Sequence, residues 1–266
     1  MALNIRLKKE FSLAIIHLKL NTMVRMEDKI TFLFMNVGII IRIILVVIFF
    51  QAIYTKVNVI GGWSYAEVLV LVGTWELINA IAWATFFRGG FRRMPGFMRR
   101  GELDSLLVRP VNLKTYFIYD NNDILFGSLP IIFAVILIMY GASISSMDIN
   151  LPYYLFIILF ALIIQYFFVI ILSSINFWTI VEQTMHLFIN TMRLGRYPIT
   201  IYKGIARTAL TVLVPVACIY SFPVQALFGK LKITDLGIMF GVLICFYLLS
   251  NYIWNIGLRR YESTGY

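Results

Sequence analysis

The chain has 266 residues, 61% of them hydrophobic and 14% charged, with a formal net charge of +10. An average soluble domain is about 25% charged, and a fold of this length has too little interior to hide so much apolar surface, so an all-α integral membrane protein is expected. The basic residues fall in clusters between apolar stretches instead of forming one patch, which is a membrane-topology pattern and argues against nucleic acid as a partner.

Residues 1–30 open with an amphipathic pattern. Leu7, Phe11, Ala14, Ile15 and Leu18 share one helical face while Arg6, Lys9, Glu10, His17 and Asn21 fall largely elsewhere, predicting an N-terminal interfacial helix on the bilayer surface. The early apolar run "LAII" is shorter than a signal-peptide core, so no cleavable signal is expected. Six transmembrane helices are predicted next, near residues 31–54, 63–86, 124–142, 151–175, 204–222 and 236–257, from the requirement of roughly 20 residues per crossing. Pro215 and Pro223 interrupt the fifth, and "SFPVQALFG" (221–229) reads as a short re-entrant or surface helix before the last span.

The basic residues orient this arrangement. Segment 1–30, segment 87–123 (Arg88, Arg92, Arg93, Arg99, Arg100, Arg109, Lys114), the stretch Arg193, Arg196, Lys203 and Arg207, and the tail Arg259 and Arg260 would share one side. The other side keeps Lys56, Lys230 and Lys232. By the positive-inside rule both termini are cytoplasmic and the chain is a multi-pass protein of the cell membrane. The connections are too short for a separate receptor or catalytic unit, so residues 1–266 form a single transmembrane domain.

One cytoplasmic passage stands out. "RRGELDSLLVRP" (99–110) alternates charge with leucine inside the 87–115 loop. Gly89, Gly90, Pro95 and Gly96 are expected to break any helix before it, and a short helix from Phe97 to Arg109 would stop at Pro110. Leu103, Leu106 and Leu107 would line one face, with Arg100, Asp104 and Ser105 away from it. Arg100 and Asp104 stand four apart, a pair worth about 0.2–0.5 kcal/mol on an exposed helix. The passage reads either as a loop anchoring to acidic lipid or as a docking helix, an apolar ridge with a charged rim made by Glu102 and Arg109 among others.

"RRGELDSLLVRPVN" resembles the cytoplasmic loop of ABC type-2 exporter permeases, in the branch where a G-E-L-D-x-L-L-x-R-P run follows the second span. "RYP" with the later "FPVQALFG", and the terminal "RRYESTG", are similar to the same branch. The resemblance implies a permease domain that pairs with a second permease, identical or related, and with cytoplasmic ATP-binding-cassette ATPases. It also implies that the loop carries the coupling helix, with Arg100, Glu102, Leu103, Asp104, Leu106, Leu107 and Arg109 as the coupling residues. The chain has no G-x-x-x-x-G-K-[ST] phosphate loop. No cofactor is therefore expected on it; ATP and magnesium would belong to the partner, and no catalytic residue is assigned.

Arg42 and Glu76 lie midway through spans one and two, each about 15 Å deep at roughly 1.5 Å per residue. Ionisable groups at that depth are usually paired or face water, so an Arg42–Glu76 pair is predicted, with Asn79 one turn on. It serves either as a clasp between helices or as a polar point on a transport path. Gln183, His186, Asn190 and Arg193 form one polar stripe, read as an interfacial helix or a second ATPase contact. Asp120 and Asp123 are expected to favour a helix N-terminus. Trp63, Tyr65, Tyr153 and Tyr154 would sit in interfacial belts. Cys218 and Cys245 are isolated, and His17 and His186 are too far apart for a structural metal site. An exporter subunit is the leading function; an ATP-independent carrier or channel, and an intramembrane enzyme, are the alternatives.

Overall fold

The computed structural model describes residues 29–120, 124–179 and 183–262, and every regular element among them is helical. The interfacial helix expected before Lys29 lies outside them, as do Asp123 and Glu182.

Helix α1 (Lys29–Tyr54) turns through residues 55–64 into α2 (Tyr65–Ala82). Ser64 starts α2 with a capping box: its hydroxyl accepts from the Glu67 amide, and the Glu67 carboxylate accepts from the Ser64 amide at 2.9 Å. Two amides that a helix start would leave orphaned are thereby closed. α2 runs on through a wide π turn, Trp83–Phe91, into α3 (Arg92–Arg99), so that Tyr65–Arg99 spans 35 residues. The expected breaks are corrected here. Gly89 alone departs from helical geometry in this run, at ψ −138°, while Pro95 and Gly96 sit inside α3. Gly89 and Gly90 serve proximity, because a Cβ on either would collide with the Asp120 carbonyl or the Phe117 ring.

The remaining helices are α4 (Glu102–Leu107), α5 (Leu113–Tyr119), α6 (Ile124–Ser143), α7 (Leu151–Ser174), α8 (Gln183–Met192), α9 (Gly204–Val212), α10 (Phe222–Leu227) and α11 (Ile233–Arg260). α2 is the spine: Val68, Leu69, Val70, Leu71 and Val72 are all buried. It meets α6 through small residues. A Cβ on Gly73 would lie 2.8 Å from Ile138 Cγ1, and one on Gly141 2.8 Å from Val70 Cγ2. Close backbone approach of this kind holds helices together where no water drives association. α11 buries a single stripe, Met239, Val242, Phe246, Ser250, Trp254 and Gly257. Phe246 and Tyr247 pack on Phe168 and Phe167 of α7, with ring centroids 5.7 and 5.4 Å apart. The stripe recurs every three or four residues, as one buried helical face requires.

Among the described residues four helices are long and apolar enough to cross a membrane: Leu33–Tyr54, Tyr65–Arg99, Leu151–Phe177 and Ile233–Arg260. A bent pair, Gly204–Val212 with Ala217–Leu227, makes a fifth if counted as one span, and Ser128–Ser143 is a shorter apolar helix. The fifth predicted span, 204–222, is not one helix. It breaks next to Pro215 and bends by 72°. α9 buries none of its residues, whereas Phe222, Val224, Ala226 and Leu227 are buried. "SFPVQALFG" is therefore interior, not a surface helix.

Neighbours show how the chain reaches that bend. One end of the bundle holds the 87–120 loops; the other holds the turns at 55–64 and 144–150. His186 lies with Arg92, Arg93 and Arg100 at the loop end. Trp75, midway along α2, donates its indole N–H to the Met192 carbonyl at 2.6 Å. Phe50 packs on Tyr197 at 5.9 Å, and the Ile201 amide lies 3.4 Å from where a Gly61 Cβ would be. Residues 183–201 thus run the length of the bundle. The segment 204–227 begins and ends at the turn end, where the Asn150 amide donates to the Leu227 carbonyl at 2.8 Å and Lys230 pairs with Glu67 at 2.8 Å. The placement of Arg193, Arg196, Lys203 and Arg207 on the loop side is corrected accordingly. Trp63 and Tyr154 are corrected too, since both are buried, and the Tyr154 hydroxyl lies 2.8 Å from that of Thr74.

Candidate functional site: an exposed loop tip and a buried polar cluster

At the loop end, Gly101 takes φ +64°, a left-handed conformation that suits glycine, and splits the helix expected over Phe97–Arg109 into α3 and α4. This turn rotates the leucines apart. Leu103 and Leu106 are buried (0% and 5% exposed), while Leu107 and Val108 are open (42% and 86%). The expected ridge of Leu103, Leu106 and Leu107 is thus corrected: two of the three pack inward, and Val108 joins Leu107 at the tip. The seat beneath is aromatic. Phe117 meets Phe91, Phe97 and Trp254 at 5.3, 6.1 and 6.1 Å, tying the π turn, α3, α5 and α11 together.

Charges ring the tip. Arg100 pairs with Glu102 through two hydrogen bonds of 2.6 and 3.1 Å, not with Asp104 as the i,i+4 spacing suggested. That pairing holds the Glu102 carboxyl below the usual carboxylate range. Burial, and then the nearby Asp104 carboxylate, push the hydroxyl of Tyr261, just beyond α11, up to about 12. Lys114 donates to Asn251 of α11 at 2.7 Å, and burial lowers its ammonium. Asp120 closes α5 at its C-terminal end, not a helix start, and is buried facing Arg93 at 3.5 Å.

The second cluster lies halfway along the bundle. Arg42 of α1 donates to Glu76 of α2 at 2.7 Å, the pair expected from depth alone. The carboxylate is 3% exposed and the guanidinium 36%. Asn79 lies one turn on but bonds elsewhere. Its amide donates to the Trp75 carbonyl at 2.7 Å, and its oxygen accepts from Gln165 at 3.3 Å and Tyr220 at 3.1 Å. Sequence reasoning missed Trp75, Gln165, Tyr220 and Arg196. Arg196 sits 3.9 Å above the Trp75 ring centroid, with Arg42 5.4 Å from the same ring. The spacing of Arg193 and Arg196 after the His186–Asn190 stripe was the available signal. A stretch this polar fails a hydropathy test, so from sequence it reads as an interfacial helix or a second ATPase contact and not as part of a crossing.

Arg42, Glu76, Asn79, Arg193 and Arg196 line a cavity of about 450 Å³. Arg42 and Arg196 also border a neighbouring groove of about 360 Å³, walled by Ile41, Leu45, Phe49 and Tyr197. Among the described residues no group of three His, Cys, Asp or Glu comes together. The arrangement can hold a charged group and shield a chain beside it.

A family model described as "ABC-2 family transporter protein" matches residues 40–265, most of the chain and both clusters. No curated protein and no solved structure matches.

Proposed function

The chain belongs to the ABC-2 transporter family, and on that premise we propose that it is the membrane-spanning permease subunit of an ATP-driven exporter. The family makes it a multi-pass membrane component of a transporter and not itself the catalyst. Two cytoplasmic ATP-binding-cassette ATPases would carry ATP and magnesium, and a second permease, identical or related, would complete the pathway.

The observation that carries this reading is the loop tip. Leu107 and Val108 stand exposed beside the Arg100–Glu102 pair and Arg109, on a base whose other leucines are locked into the core. An apolar knob with a charged rim suits a cleft on a cytoplasmic partner. Its base is continuous with α2 and bonded to α11, so a push from an ATPase would reach both helices and rock the bundle between inward- and outward-open states. A lipid anchor would have no need of so rigid a seat.

In this reading the membrane is crossed six times, with the fifth crossing made by residues 183–201. Ten residues of α8 at about 1.5 Å, followed by Arg193–Ile201 at about 2 Å per residue, reach about 30 Å, the hydrocarbon thickness. The segment 204–227 is then re-entrant from the outer side. Lys203 and Arg207 move outside, which weakens the basic asymmetry without reversing it, so the loop end and both termini are cytoplasmic.

Two experiments test this. With the exposed Cys245 replaced by serine, a cysteine at the exposed Asn58 or at Lys203 should label from outside with an impermeant thiol reagent, and one at Ser105 should not. Protection of Lys203→Cys would return the fifth crossing to 204–222. Val108→Asp with Leu107→Asp should release the ATPase from the purified complex; full retention and full transport would overturn the coupling assignment.

A further inference from the structure

We propose that the cavity between α1, α2 and the 183–201 segment binds an anionic amphiphile from the bilayer, with its phosphate or carboxylate head at Arg42 and Arg196 and its acyl chain in the groove along α1. The charge count is the first reason. Among the described residues Arg42, Arg193 and Arg196 face the cavity of about 450 Å³, and Glu76 is the one carboxylate lining it. Glu76 is already taken by Arg42 at 2.7 Å. The Arg196 Nε is buried with no hydrogen-bond partner among the described residues, and its guanidinium rests on the Trp75 face. A surplus of guanidinium groups inside a membrane is costly unless an anion or water compensates it, and the planar fork of arginine matches phosphate and carboxylate oxygens.

The shape of the space is the second reason. The two arginines are shared between the cavity that holds the charged cluster and a neighbouring groove walled by Ile41, Leu45 and Phe49. A free inorganic anion would use the first and leave the second empty. A headgroup joined to an acyl chain fills both, with Ile41, Leu45 and Phe49 along the chain. Gly38 lines the same groove, and a Cβ there would meet nothing within 4 Å, so the groove is open along α1 as well. That this occupant is also the cargo rests on the export reading above; its binding does not.

The test is made on the full chain purified with its ATPase, by native mass spectrometry after adding phosphatidylglycerol, chain-matched phosphatidylcholine or inorganic phosphate. The unaltered protein should retain phosphatidylglycerol about tenfold over phosphatidylcholine. Arg196→Gln should abolish that preference and Arg196→Lys should keep part of it. Gly38→Leu, which fills open space without displacing a neighbour, should lower retention while the arginines and the ATPase remain in place. Equal retention of the two lipids, binding of inorganic phosphate alone, or unchanged preference in both Arg196→Gln and Gly38→Leu would overturn the proposal. Loss of ATPase copurification with lipid preference intact would count against the export reading and leave the lipid site standing.

Discussion

Two Arg–Glu pairs among the described residues show by their contrast how the molecule uses charge. Arg100 and Glu102 are two residues apart, both largely exposed, and meet because a turn brings neighbours together. Arg42 and Glu76 come from different helices, with the carboxylate 3% exposed. In water an ion pair gains little, since solvent screens it and ordering two long side chains opposes it. In the interior the pair offsets a desolvation cost that either partner alone could not bear. The first pair rims an exposed loop tip; the second closes the bundle beside the Arg196 Nε, which has no hydrogen-bond partner among the described residues.

The largest expected effect breaks the assumption that the whole loop is surface. Leu103 is fully buried, so Leu103→Asp should cost more than about 4 kcal/mol, in the range of a charge forced into a core, and the complex should fail to fold. Leu103→Ala should cost about 2–5 kcal/mol, read as a fall in the thermal midpoint in detergent. Near-normal stability of both would show that Leu103 faces outward as the sequence suggested.

Next comes the buried pair. Glu76→Leu or Arg42→Leu alone should destabilise by up to about 3–5 kcal/mol, with Glu76→Leu the milder because the guanidinium it strands is over a third exposed while Arg42→Leu strands a carboxylate that is 3% exposed. The double substitution should recover much of that loss. Strictly additive midpoints would mean that the contact carries no coupling.

The tip should show a smaller and different effect. Leu107→Asp and Val108→Asp should leave the midpoint within about 0.5 kcal/mol, as exposed substitutions do. They should nonetheless weaken ATPase retention, by an amount set by the roughly 1.5–3 kcal/mol available on burying an aliphatic side chain in a partner.

The smallest effect belongs to Glu102→Gln. The folded-state carboxyl lies below its usual value, so its contribution is present above about pH 4.3, the unfolded value, and is lost as pH falls through the lower folded one. Between pH 5 and 8 the variant and the parent should therefore share the same flat stability profile. A parent midpoint that drops through that window while the variant's does not would show that Glu102 is engaged more deeply than the structure places it.

Much of this protein was legible in the sequence because the signals were local or additive. Apolar length alone located α1, α2, α7 and α11, and counting residues into two spans was enough to pair Arg42 with Glu76. The string 99–112 pointed to the family that the match over residues 40–265 shows. Tertiary structure decided what depends on which neighbour a residue meets. The stretch 183–201 carries His186, Asn190, Arg193 and Arg196, too polar for any hydropathy window. It can run the length of the bundle only because Trp75 bonds Met192 and stacks on Arg196, while a cavity receives the remaining polar groups. Leu103 and Leu106 turn inward because Gly101 adopts a positive φ and Phe117 seats the loop. Composition measures how much a segment prefers oil to water on average. Where each side chain finds its partner is a property of the packed fold.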